Sequence, residues 1–111
     1  MKLISAVIRP PVFEAIKDAL TLFGVRGMTV DQVHQISQET AHIQIYRGQR
    51  FAVDAQPSVK IDLLVPDDEL ADLTRVISQI MTTGGSDGSV WTSQIDLVVR
   101  VRTREHGLDA L

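Results

Sequence analysis

Two runs of apolar residues at three- and four-residue steps, each flanked by alternating stretches, restrict this chain more than anything else in it. Phe13, Ile16, Leu20 and Phe23 recur at that spacing, with Val12, Ala15 and Ala19 beside them, and predict a helix over about 12–23. Pro11 suits the first position of such a helix, and Gly24 suits its stop. Leu70, Leu73, Ile77, Ile80 and Met81 predict a second helix, entered through Pro66-Asp67-Asp68, which supplies a turn and a capping carboxylate. Before the first helix, residues 2–9 read as a short buried strand ended by Pro10-Pro11. After it, residues 28–36 read as a strand whose alternation slips between Val30 and Val33, as a bulge would make it. Val59, Ile61, Leu63 and Val65 mark a third strand, and residues 90–102 a fourth, with the tail EHGLDAL expected to be loose.

The order is βαβ, loop, βαβ. Two such halves make an α+β, ferredoxin-like βαββαβ plait in one domain over residues 1–111. The helices would cover one face of the sheet. The other face keeps Leu3, Val7 and Leu64, an apolar surface that a chain this short cannot cover, so a second subunit is expected there.

Composition closes several functional classes. The chain has 111 residues, a formal net charge of −3, 44% hydrophobic and 23% charged residues, which argues against a general nucleic-acid binder. Without cysteine there are no disulfides and no thiol chemistry. No apolar run is long enough for a signal peptide or a membrane span, so a cytoplasmic location with no direct membrane insertion is expected. His34, His42 and His106 lack metal-ligand spacing, so no metal site is expected, and no nucleophile or Walker arrangement marks an enzyme.

Three segments stand out. Residues 37–57 are longer than an ordinary connection, and HIQIY followed by Tyr46-Arg47-Gly48 reads as a protruding hairpin. It would offer Ile43, Ile45, Tyr46, Arg47, Arg50 and Phe51 to a partner, or else pack on its own domain. Arg100, Arg102 and Arg104, two residues apart, would share one face of the last strand. Their planar forks suit phosphate or carboxylate, or they pair internally with Asp62, Asp96 or Glu105. The glycine-rich run over 83–89 could turn its amides toward an anion, although by itself it is as good a plain turn.

Together, MKLISAVIRP, Gly27-Met28-Thr29-Val30, Tyr46-Arg47-Gly48, Val65-Pro66-Asp67-Asp68 and Val99-Arg100-Val101-Arg102-Thr103 resemble the PII nitrogen-regulatory signal proteins over nearly the whole chain. The resemblance implies a homotrimer that binds an adenine nucleotide (ADP, AMP or ATP) between subunits. It also implies a T-loop, about 37–57, that docks a transporter, enzyme or regulator. Residues 83–89 match the phosphate-wrapping B-loop, including Asp87, Gly88 and Ser89, and 103–111 form a tail. Arg100 and Arg102 match the family's phosphate-binding arginines, Thr29 an adenine-pocket residue, and Asp62 and Leu64 its wall.

The departures are chemical. The family's modified tyrosine motif Y-R-G-A-E-Y reads YRGQRF here, and Phe51 has no hydroxyl to uridylylate. The glutamine and lysine that hold 2-oxoglutarate in the family are Glu39 and Ser58, one adding an anion and the other lacking a cation. Gln35 and Ser37 replace two glycines at the effector end of the T-loop. Both B-loop lysines are gone, with Gly85 and Ser89 in their places, which disfavours a triphosphate most. A divergent, nucleotide-gated regulator is the leading expectation. A constitutive interaction module with a vestigial pocket, and a sensor of bicarbonate rather than nitrogen status, are the alternatives.

Overall fold

The computed structural model describes residues 1–36, 42–46, 49–53, 55–85 and 88–111, with the backbone alone for 42–46 and 49–53. Its elements are β1 (Lys2–Ile8), α1 (Pro10–Phe23), β2 (Thr29–Ile36), β3 (His42–Tyr46), β4 (Gln49–Val53), β5 (Ala55–Val65), α2 (Leu70–Thr83) and β6 (Ser89–Gln94). One open antiparallel sheet runs β2-β5-β1-β6, and β3 and β4 pair separately. That order, with two helices, is the βαββαβ plait expected from the two stripes.

Register explains the core. β1 pairs β5 with Ile4 opposite Leu63 and Ala6 opposite Ile61, so Ile4, Ala6, Ile8, Ile61, Leu63 and Val65 share one face. They join Val12, Ile16 and Leu20 of α1 and Leu73, Ile77 and Met81 of α2 in a single buried cluster. The stripe on α1 is therefore Val12-Ile16-Leu20, with Phe13 at its margin and Phe23 40% exposed. Helix α1 closes as expected, with Gly24 in the left-handed region and its amide bonded to the carbonyls of Leu20 and Thr21.

Four expectations are corrected. Strand β2 has no bulge: its register with β5 runs unbroken from Thr29 opposite Asp62 to Ile36 opposite Ala55. Glu69, not an aspartate, stands at the cap of α2, and no side chain caps it. Asp67 instead accepts from the Met1 amine at 2.8 Å. The open face is not simply apolar, since Ser5, Lys60 and Asp62 occupy its middle and Leu3, Val7 and Leu64 only flank them.

The fourth correction concerns the C-terminus. Strand β6 stops at Gln94 because that residue pairs with Lys2, where β1 begins; beyond it the sheet offers only a bond from the Ile95 amide to the Met1 carbonyl. The chain then doubles back. Val99 bridges His106, the Arg100 amide donates to the Glu105 carbonyl at 2.7 Å, and the Gly107 amide to the Val98 carbonyl at 2.9 Å. The tail ends in a short 3-10 turn, Gly107–Ala110, with Ala110 buried, so it is folded rather than loose. Arg100, Arg102 and Arg104 consequently do not line one strand face, because the chain turns between Arg100 and Arg104.

Candidate functional site

The glycine-bounded loop after α1 leads into β2 at one edge of the sheet, and the returning tail passes beside it. Between them lies a cleft of ≈ 920 Å³. Thr29, Asp62, Leu64 and Arg100 all line it, so four of the residues singled out for nucleotide binding converge although they are up to 71 positions apart. Thr29 and Asp62 are direct partners across β2 and β5, and Leu64 follows two residues along β5. Asp62 is oriented by two groups, the Ser5 hydroxyl at 2.5 Å from Oδ1 and the Lys60 ammonium at 3.7 Å from Oδ2.

Arg100 is held from the tail. Its Nε and Nη2 donate to the Ala110 carbonyl at 3.3 and 3.1 Å, which is neither an anion nor one of the internal carboxylates considered as partners. Arg102 is exposed in the turn that follows and does not line the cleft.

Gly88 and Ser89 lie elsewhere. Ser89 opens β6 and pairs with Val7, at the sheet edge opposite β2. Three strand spacings of ~4.8 Å separate those edges, so one phosphate group cannot touch both sets within a single chain. Gly88 is packed so closely that a Cβ would lie 2.0 Å from the Val7 carbonyl oxygen. Asp87 lies outside the described residues, as do Ser37, Glu39 and Arg47. Ile43, Ile45 and Tyr46 fall on β3, and Arg50 and Phe51 on β4, in the hairpin that the alternation of HIQIY predicted. Of the effector-end residues, Gln35 pairs with Gln56, while Ser58 is 3% exposed and donates to the Gln56 carbonyl.

Sequence reasoning missed part of this lining. Arg26 lines the cleft from the loop before β2, and its signal was a lone cation between two glycines, Gly24 and Gly27. Glu105, Leu108, Asp109 and Leu111 line it from the tail, where the apolar spacing of Leu108, Ala110 and Leu111 was a sign of order. Among the described residues, two guanidinium residues thus share the cleft with four carboxylates, the remaining one being Glu69. Among the described residues no group of three or more histidine, aspartate or glutamate side chains could hold a metal ion. None of their helices is long and apolar enough to cross a membrane.

The comparison that decides kinship is with a family model described as nitrogen regulatory protein P-II, which matches residues 1–105. The chain belongs to the P-II family. It is 34% identical to the nitrogen regulatory protein GlnK of Escherichia coli K12 over 106 residues, covering 95% of each chain. It is 37% identical to the nitrogen regulatory protein P-II of Mesorhizobium japonicum over 112 aligned positions, with each chain covered in full. It is 38% identical to the nitrogen regulatory protein P-II 1 of Methanothermobacter thermautotrophicus, covering all of this chain and 97% of the other. P-II membership makes this a regulatory signal protein rather than an enzyme, in a family of regulators of nitrogen metabolism that work through target proteins.

Proposed function

We propose that this P-II protein is a cytoplasmic homotrimer that binds an adenine nucleotide between subunits and controls a target protein through the loop over 37–57. One observation carries the reading. The nucleotide-site residues divide into two sets, Thr29, Asp62, Leu64 and Arg100 in a cleft at the β2 edge, and Gly88 and Ser89 at the β6 edge. Two copies that place one chain's β6 edge against the other's β2 edge would unite them. Apolar side chains left in water, Leu64 and Trp91 on the sheet and Leu97, Val99 and Val101 beyond it, supply surface for such packing. ADP or AMP suits the site better than ATP, since the glycine-rich loop brings no cation to a γ-phosphate.

The test pairs calorimetric titration with AMP, ADP and ATP against light scattering. The expected mass is three times the 12.3 kDa of the chain. Arg100→Ala with Arg102→Ala should weaken binding by about tenfold or more while the mass stays trimeric, because each charge-assisted bond to phosphate contributes ~1.5–3 kcal/mol. Unchanged affinity would remove both arginines from the site, and a stable monomer would remove the intersubunit pocket.

The second reading is a constitutive docking module whose pocket no longer takes a nucleotide. It draws on the engagement of Arg100 with the Ala110 carbonyl. Silence toward all three nucleotides, with the trimer intact, would favour it.

A further inference from the structure

We infer that the tail segment Glu105–Leu111 is a latch that closes the cleft, and that a phosphate-bearing ligand displaces it to reach Arg100. The inference rests on the nucleotide reading above. It starts from a conflict on one side chain: the guanidinium proposed to meet phosphate already directs Nε and Nη2 at the Ala110 carbonyl. A phosphate that forks onto the Nε–Nη2 edge of the guanidinium would compete with that carbonyl for those hydrogens. The charged oxygen is the stronger acceptor, which makes the exchange favourable once the tail is out of the way.

Charge points the same way. Among the described residues, Glu105 and Asp109 of the tail line the cleft together with Asp62 and Glu69, against Arg26 and Arg100. A nucleoside phosphate entering the latched form therefore meets an excess of negative charge at short range, where repulsion is least screened. Moving the tail removes two of those carboxylates and leaves the two guanidinium residues matched by two acids.

The latch is built to open. Among the described residues it is attached by the two bonds from Arg100, the Gly107 amide on the Val98 carbonyl, the Arg100 amide on the Glu105 carbonyl, one small buried side chain, Ala110, and the half-buried Leu111. Segments with so few buried apolar contacts open far more readily than the core. Gly107, at φ +66°, is the turn on which the latch closes, and a Cβ there meets nothing within 4 Å. A side chain at that position would strain the closed backbone without blocking anything else.

Full-length Gly107→Val and Ala110→Gln, each titrated with ADP beside the wild type, test the proposal. Loosening the latch raises the binding-competent fraction, so both variants should bind ADP about three- to tenfold more tightly. In the wild type, ADP should accelerate hydrogen exchange at the Gly107 amide, which the closed tail protects. Variants that bind where the wild type is silent would support the latch most strongly. Equal affinities in all three proteins, with the Gly107 amide still protected under saturating ADP, would overturn the latch and leave the nucleotide site standing. Silence of all three toward ADP would overturn both.

Discussion

Ser5 faces Asp62 across the middle of the sheet, and its hydroxyl donates to Asp62 Oδ1 at 2.5 Å. The same carboxylate lies 3.7 Å from Lys60 Nζ, which stands 5.9 Å from the centre of the Trp91 ring. A connected polar row thus crosses the face that the alternation of leucine and valine marks as apolar. It links the cleft at one edge to β6 at the other.

Ser5→Ala would leave Asp62, which is only partly exposed, without its best donor. The expected loss is ~1–2 kcal/mol of folding stability, the range for unpairing a part-buried hydrogen-bonded group. Urea denaturation measures it, and a loss below ~0.5 kcal/mol would mean that solvent replaces the hydroxyl.

Gly88→Ala should destabilise the sheet by about 2–3 kcal/mol, as overpacking at a site that cannot relax. The added methyl would press on the Val7 carbonyl oxygen at 2.0 Å and on Met81 Cε at 2.8 Å. Methionine can move, but a backbone carbonyl in the central strand cannot, so β6 must shift. Thermal melting of the variant checks this, and a wild-type melting temperature would contradict the packing.

2-Oxoglutarate added to the chain with Mg-ATP should release no heat beyond that of ATP alone. Ser58, which the motif resemblance sets in place of the family's carboxylate-binding lysine, is buried, uncharged and bonded to the Gln56 carbonyl. A carboxylate gains no cation there. Measurable extra heat would show that another group takes over the role.

Asp67 titrates below the ordinary carboxylate range, chiefly because the Met1 amine donates to it; desolvation opposes the shift, and the charges of that amine and of Lys2 add to it. A carboxyl held low in the folded state contributes stability above its unfolded value, near ~3.9, and loses it as pH falls through the lower folded value. Asp67→Asn should therefore be slightly less stable than the wild type at neutral pH and equal to it at strongly acid pH. In the 111-residue chain, acetylation of the Met1 amine should bring the Asp67 titration, followed by NMR, back up toward the ordinary range.

Periodicity read the body of the fold because burial there is one-sided and complete. Ile16, Ile77 and Ile61 have no exposed surface, and each lies in a three-four or alternating pattern. The same signal misled where no partner backed it. Val30 and Val33 looked like a slip, yet β2 is an edge strand, exposed along most of its length, and its apolar positions carry little weight. Ile95, Leu97, Val99 and Val101 alternate like a strand, but strand length is set by the neighbour, and β1 begins at Lys2. The candidate cleft was legible in four of its members rather than in its arrangement. Thr29, Asp62, Leu64 and Arg100 were named from motif resemblance and meet in one cleft, while the tail that closes around Arg100 is a tertiary event with no local pattern beyond three apolar residues.

Strand β5 outruns its neighbour. It pairs with β1 only from Val59 onward, whereas β2 follows it back to Ala55. Residues 33–36 and 55–58 therefore form a bare two-stranded ribbon, ~13 Å long at ~3.3 Å per residue, between the helix-backed sheet and the hairpin of β3 and β4. Such a ribbon is a lever arm. A tilt of about ten degrees where it leaves the sheet swings its far end by ~2 Å over that length. A small adjustment beside Ser58 would thus be enlarged at Ile36 and Ala55, the far end of the ribbon, without any element of the core having to repack.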